Sequence, residues 1–361
     1  METINPVEQA APDNYTDTAM SEALMNPLVL DLIFAKLSVR GLKTCRLVCR
    51  EWADVGVNLL AKRTFLQLHK LFRYDDASKL FQVNHVDSKL TQRLIIYNTL
   101  FPSIPTNDKT SVLTEAIRML DSTKIQNISV FFKPQKFRGL QIPKGKVQPC
   151  RLLPILSNLT SIKFELFGII REKTRNSFHP VLQILIDAAP NLTSLDVSGS
   201  FYPNLEGCKK LKILKLFNVK CADTRICPKL DVAAVTRMLA QVKDSLEEME
   251  LRHIGGVVSQ HHNLEVPVMS QLASLTLNPA HLNLSHALFD GKHLPKLNHL
   301  ELNDYFDVSP DLSTHLDVWG RHEGVVSLSL RLDHYGLNDA IEGKLVQLFP
   351  SVKKLYFPQY G

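Results

Sequence analysis

Residues 297–302 run Leu297-Asn298-His299-Leu300-Glu301-Leu302. Leu300 and Leu302 stand two apart, the period of a strand with one buried face. The same Leu-x-x-Leu-x-Leu spacing, with Ile, Val, Met or Phe substituting, occurs at Leu272/Leu275/Leu277, Leu246/Met249/Leu251, Leu211/Leu214/Leu216 and Leu192/Leu195/Val197. It occurs after residue 302 at Val325/Leu328/Leu330 and Val352/Leu355/Phe357, and earlier at Ile125/Ile128/Val130 and Leu159/Ile162/Phe164. Successive starts are 34, 33, 19, 35, 26, 25, 28 and 27 residues apart. A period in this range marks a stacked array of small units.

The stretches between copies carry helical patterns, as in Val181–Ile186, Val232–Val242 and Ala340–Phe349. Pro190, Pro295 and Pro350 each stand two residues before a strand pattern, where proline ends a helix and favours extended chain. Each unit is therefore expected to be helix, turn and short parallel strand. No unit buries its strand leucines alone, so stacking is required. This part of the chain, roughly 120–361, resembles leucine-rich-repeat proteins. The resemblance implies an α/β horseshoe of parallel strands backed by helices. The Asn or Cys that such repeats carry three residues after the last Leu is replaced here by Lys133, Phe167, Ser200, Val219, Ile254, Ala280, Tyr305, Asp333 and Tyr360, so the horseshoe is expected to be irregular.

Strand alternation turns the residue before the last Leu of each copy outward, onto the expected concave face. That row is Ser129, Lys163, Asp196, Lys215, Glu250, Thr276, Glu301, Ser329 and Tyr356. It is mixed and polar, suited to gripping a protein target. Lys163, Asp196, Lys215, Glu250, Glu301 and Tyr356 are the candidate target contacts. Residues 65–120 are less regular: Phe65–Leu68 and Leu94–Tyr97 suit atypical first strands and Val112–Leu120 suits a helix, so 67–120 is expected to be a link or atypical first repeats.

Ahead of the array the pattern changes. Residues 1–22 are polar and lack an apolar period, as expected of a disordered acidic tail. From Leu24 the chain turns apolar. Pro27 can open a helix at its first turn. Leu30, Ile33, Phe34 and Leu37 follow at helical spacing, while Leu28, Val29 and Leu32 add apolar area on other faces. Gly41 breaks the run. A second short helix over Leu42–Cys49 and a third from Trp52 to Leu60 are expected. So small a unit with excess apolar surface is suited to docking.

The string Cys45-Arg46-Leu47-Val48-Cys49-Arg50-Glu51-Trp52, after Pro27, Leu30, Ile33-Phe34, Leu37 and Leu42, resembles an F-box over residues 24–66. It departs from the usual Leu-Pro start: Met25-Asn26 take those places, Pro27 comes one residue late and Leu28 replaces a common Glu. The resemblance implies a three-helix F-box at 23–66 that binds the Skp-family adaptor of a cullin–RING ubiquitin ligase. The residues it implies for that contact are Pro27, Leu28, Leu30, Phe34, Leu37, Leu42, Cys45, Val48 and Trp52, some of which serve internal packing. A helical cap without a partner is the bland alternative.

Forty-two Lys and Arg against 36 Asp and Glu give a net charge of +6. Residues 1–35 hold six acids and no base, so they carry −6 and the remainder +12. Lys36, Arg40, Lys43, Arg46 and Arg50 put basic charge on the helical unit. A second basic stretch, 133–146, has the Pro and Gly breakers of an inserted loop. This distribution suits acidic protein partners. Nucleic acid is not expected, for want of a dense basic patch with stacking aromatics.

No apolar run reaches 18 residues and the N-terminus lacks a basic start with an apolar core, so neither a membrane span nor a signal peptide is expected. A reducing compartment, cytoplasm or nucleus, follows, and the five Asn-x-Ser/Thr triplets are taken as turn residues. Cys221, Cys227, His253, His261 and His262 have poor zinc spacing, and no nucleotide or nucleophile motif occurs. Asp304 and Asp307 lack a partner acid or base. No cofactor, metal or catalytic residue is assigned. The sequence thus points to a non-catalytic substrate-recognition subunit of an SCF-type ubiquitin ligase: F-box on the Skp adaptor, array on an unidentified protein target. The alternative is a leucine-rich interaction scaffold without a ligase role.

Overall fold

The computed structural model describes residues 22, 24–74, 80–83, 86–97, 106–132, 152–166, 172–199, 201–218, 231–253, 266–277, 291–304, 316–317, 319–332 and 339–356. They fall into two units: the residues up to Leu66 with Asp87–Arg93, and Gln67–Val86 with those from Leu94 onward.

The first unit is built on three helices, α1 (Pro27–Phe34), α2 (Val39–Cys45) and α3 (Arg50–Arg63). Asn26 caps α1, its side chain accepting from the Leu28 amide at 2.9 Å, and Pro27 occupies the first turn, where no N–H is needed. Ser38 caps α2 by accepting from the Gly41 amide at 3.2 Å. The Arg63 guanidinium donates to the Leu37 and Ala35 carbonyls at 2.7 and 2.5 Å. It thereby satisfies acceptors that α1 leaves open at its end. Arg93 does the same for α3 through the Lys62 carbonyl at 2.6 Å, and lies 4.0 Å over the Phe65 ring.

Leu30, Phe34, Leu42, Leu59 and Leu60 form the core of this unit, flanked by Leu37, Val39, Cys45, Trp52, Val55 and Leu90. Phe34 and Trp52 meet edge-on at 5.2 Å, and the Trp52 indole donates to the Leu24 carbonyl at 3.1 Å. Leu90 comes from a short 3₁₀ turn, Ser88–Gln92, which belongs with the helices although twenty residues separate Leu66 from Asp87. The first helix stops at Phe34, one turn before Leu37, and leaves Ile33 43% exposed, so the apolar stripe expected there is not all core.

Short strands come next, the first and fourth each beginning on the last residue of a first-unit segment: β1 (Leu66–Gln67), β2 (Phe72–Tyr74), β3 (Leu80–Gln82) and β4 (Arg93–Tyr97). Helix α4 (Thr106–Arg118) follows, then β5 (Asn127–Phe132), β6 (Ser161–Leu166), α5 (Glu172–Asp187), β7 (Ser194–Ser198) and β8 (Ile213–Asn218). The chain continues through α6 (Val232–Val242), β9 (Glu248–His253), β10 (Ser274–Leu277), β11 (His299–Asp304), β12 (Ser327–Leu332), α7 (Asp339–Leu348) and β13 (Lys354–Tyr356).

β2 and β3 form an antiparallel pair. Among the described residues the other eleven strands form one sheet in the order β1-β4-β5-β6-β7-β8-β9-β10-β11-β12-β13. From β5 to β13 every neighbouring pair is parallel, and the Leu-x-Leu positions align. The architecture is α/β with a long parallel repeat sheet, as the periodicity predicts. The first position of each copy from Ile125 to Val325 is fully buried. At the far end Leu355 is 42% exposed, because no further strand lies over it among the described residues.

Stacking is fastened by main-chain atoms. The carbonyl just before one strand accepts two amides from the next repeat: Gln126 from Thr160 and Ser161, Thr160 from Thr193 and Ser194, Thr193 from Lys212 and Ile213. Lys212, Glu247, Ala273, Asn298 and Val326 continue the series, all distances lying between 2.8 and 3.2 Å. The Asn158 side chain donates to the Thr123 carbonyl at 2.5 Å and the Asn191 side chain to the Ser157 carbonyl at 2.8 Å. These two triplet asparagines are thus turn residues, as expected.

Helices do not fill every unit. The 19-residue repeat between Leu192 and Leu211 is too short for one and crosses by turns, with Phe201, Leu205 and Cys208 buried in its place. Gly199 opens that crossing at φ 132°, and a Cβ there would lie 2.8 Å from the Phe201 ring. Only glycine adopts this backbone without strain.

Candidate functional site

Each unit presents one surface with a distinct chemistry. On the helical unit it is apolar. Leu28 and Leu32 are 76% and 71% exposed, on the side of α1 away from buried Leu30 and Phe34. Leu47 and Val48, in the turn before α3, are 86% and 61% exposed, and Met25 and Ile33 are each 43% exposed. The core beneath is closed, so this apolar area is surplus to the unit's own packing.

Three of the contacts implied by the F-box resemblance are thereby corrected. Leu30, Phe34 and Leu42 are at most 1% exposed in the interior of the unit, so they offer no side-chain surface to a partner. Leu37, Cys45 and Trp52 are half-buried against that core, while Pro27, Leu28 and Val48 face outward. Sequence reasoning passed over Met25, Leu32, Ile33 and Leu47 as contacts. The signal was present for one of them: Leu32 stands one helical turn from Leu28, opposite the buried stripe. Of the basic side chains expected to steer a partner, Lys36, Arg40, Lys43 and Arg50 are exposed, but Arg46 has its Nε buried and unbonded. Its stem lies where a Cβ on Gly56 would be.

On the array the surface is charged. Register places Ser129, Lys163, Asp196, Lys215, Glu250, Thr276, Glu301, Ser329 and Tyr356 side by side on successive strands from β5 to β13. All six candidate target contacts are therefore in one row. The small members Ser129, Thr276 and Ser329 are buried between longer neighbours, and Tyr356 is 50% exposed at the end strand.

Charges in the row are cross-linked. The Lys163 ammonium lies 2.6 Å from Glu165 and 3.5 Å from Asp196. Lys215 lies 2.7 Å from Glu248 and 3.4 Å from Glu250, and Arg252 closes on Glu250. The Thr276 hydroxyl donates to Glu301 at 3.5 Å. Glu165, Glu248 and Arg252 were missed in sequence, although they stand two residues from a row member and so share its face.

Burial raises the Asp196 carboxyl above its ordinary range; Lys163 opposes the rise, and Glu165 and Glu250 add to it. Lys163 is held above its usual value, chiefly by its bond to Glu165. For Lys215 burial pulls down, but Glu248 and Glu250 outweigh it and the net shift is upward.

Among the described residues no group of three His, Cys, Asp or Glu could hold a metal ion. Burial pushes the Cys208 thiol up to about 11, far from thiolate reactivity. No described helix is long and apolar enough to cross a membrane. The acidic tail (save residue 22), the basic stretch 133–146, the positions of the missing Asn ladder, and Cys221, Cys227, His261, His262 and Asp307 lie outside the described residues. No family model matches the chain, and no curated protein matches its sequence.

Proposed function

We propose that the chain is a non-catalytic substrate adaptor of an SCF-type ubiquitin ligase, working in the cytoplasm or nucleus. Its helical unit is an F-box that docks on the Skp-family adaptor. Its repeat array, an irregular leucine-rich horseshoe, holds a protein target on the polar face of the sheet. The observation that carries this reading is the exposed apolar surface of Leu28, Leu32, Leu47 and Val48 over a closed core, on a unit whose sequence contains Val48-Cys49-Arg50-Glu51-Trp52. Exposed apolar side chains surplus to a small unit's own packing suit a protein contact. The adaptor would act by proximity, raising the effective concentration of target lysines near the conjugating enzyme.

The test is a pull-down of the full chain with the purified Skp adaptor, comparing wild type with a Leu28→Asp, Leu47→Asp pair. Both substitutions fall on exposed positions, so folding is preserved, as circular dichroism would verify. Binding by wild type and its loss in the pair is expected. A wild-type chain that does not bind leaves the scaffold reading, with the helical unit as a cap.

A further inference from the structure

The parallel sheet has an edge with a definite chemistry. β13 has β12 on one side and, among the described residues, no strand on the other. A strand turns alternate N–H and C=O groups to its two sides, so β13 offers one set of them for pairing. Its side chains are as open as its backbone: Lys354, Leu355 and Tyr356 are all exposed.

Leu355 departs from the rest of its row. Register carries one inward position from Ile128 on β5 through Leu328 on β12 to Leu355 on β13. Every member from Ile128 to Leu328 is at most 1% exposed, whereas Leu355 is 42% exposed. The backbone lacks the same neighbour. The Val326 carbonyl accepts the Lys353 and Lys354 amides at 2.9 and 3.2 Å. Among the described residues the Lys353 carbonyl, next in that series, meets no such pair of amides.

Lysine commonly guards an open edge, and Lys353 and Lys354 stand at this one. What they exclude depends on direction. Two copies paired in parallel register would set Lys354 against Lys354, like charge on like. Two copies paired antiparallel about Leu355 would set each Lys354 opposite Tyr356 of the other copy, and Leu355 opposite Leu355. An ammonium on a tyrosine ring is attractive, and the open end of the leucine row is then covered by leucine. Among the described residues Lys354 has no ion pair for this pairing to break. The strand is thus complementary to itself in one direction and repels itself in the other.

We propose that β13 is a homodimer contact, two copies of the chain joining by antiparallel pairing of their β13 edges about Leu355. Opposed residues of an antiparallel pair share a face, so the polar rows of both copies would lie on one side of a continued sheet. A target with two epitopes would be gripped twice, gaining avidity without a new kind of contact. The contact does not depend on the adaptor reading. An edge this short is far below a standard interface, so the dissociation constant is expected to be on the order of 10–100 µM.

The test is sedimentation equilibrium of the full chain from about 1 to 300 µM, where the mass is expected to rise toward twice the monomer value. Lys354→Glu removes both ammonium–ring contacts, and Tyr356→Lys opposes lysine to lysine. Each alone is expected to weaken the dimer about tenfold. Mixed, with one of them fluorescently labelled, the two variants are expected to recover wild-type affinity. The new carboxylate then faces the new ammonium, and the remaining Lys354 faces the remaining Tyr356. Both positions are exposed, so folding is preserved, as circular dichroism would verify. A chain that stays monomeric throughout, a dimer that either variant keeps at full strength, or a mixture that fails to recover overturns the proposal. Neither substitution touches the helical unit, so Skp-adaptor capture is expected to be unchanged and tests the adaptor reading separately.

Discussion

The two units use their side chains in opposite ways. The helical unit packs a core of Leu30, Phe34, Leu42, Leu59 and Leu60 and leaves Leu28, Leu32, Leu47 and Val48 in solvent. The array buries the first position of every copy from Ile125 to Val325 and turns out a cross-linked row of charges. An apolar surface gains affinity from whatever covers it, whereas a charged row gains discrimination more than strength. One unit is thus suited to a constant partner and the other to choosing among partners.

The sharpest way to break the comparison is to damage each core. Phe34→Ala should cost the helical unit about 3–5 kcal/mol, and Leu300→Ala should cost the array about 2–5 kcal/mol. Chemical denaturation should then show separate losses. A single shared transition that moves equally for both variants would abolish the distinction between units.

Next in size are the polar fastenings. Arg63→Ala removes donors to the Leu37 and Ala35 carbonyls and should destabilise the helical unit by about 1–3 kcal/mol, seen as faster amide exchange at the end of α1. Gly199→Ala should cost the array about 1–3 kcal/mol through its backbone angle and the Phe201 contact, measurable as a lower melting temperature.

The smallest expected effect is on pH dependence. Asp196 binds its proton more tightly folded than unfolded, so its contribution to stability grows as pH falls through the raised folded value and is complete below the unfolded one. At neutral pH the charged group is therefore a liability that protonation relieves. Asp196→Asn should flatten this part of the stability–pH curve. A curve unchanged from wild type would mean that Lys163 fully compensates the burial.

Much of the array was legible because its signal is local and repeated. Leu-x-x-Leu-x-Leu placed every strand from β5 to β13, and alternation placed the polar row in its observed register. The helical unit was less so. Its apolar residues surround α1, and periodicity cannot say which side the other helices will cover. Leu30 and Phe34 therefore read as contacts until α3 was seen to bury them. The return of Asp87–Arg93 is a tertiary contact without a local pattern.

The doubled bonds accepted by Gln126, Thr160, Thr193 and their successors involve only backbone, which every residue type but proline supplies. The same rung closes units of 19 and 35 residues alike. Substitution at these turns by anything but proline leaves the fastening in place, and insertion or deletion between rungs alters one unit while the rungs on either side stay closed. Such an array can drift in sequence over long lineages, and exchange or lengthen its connections, while its architecture persists.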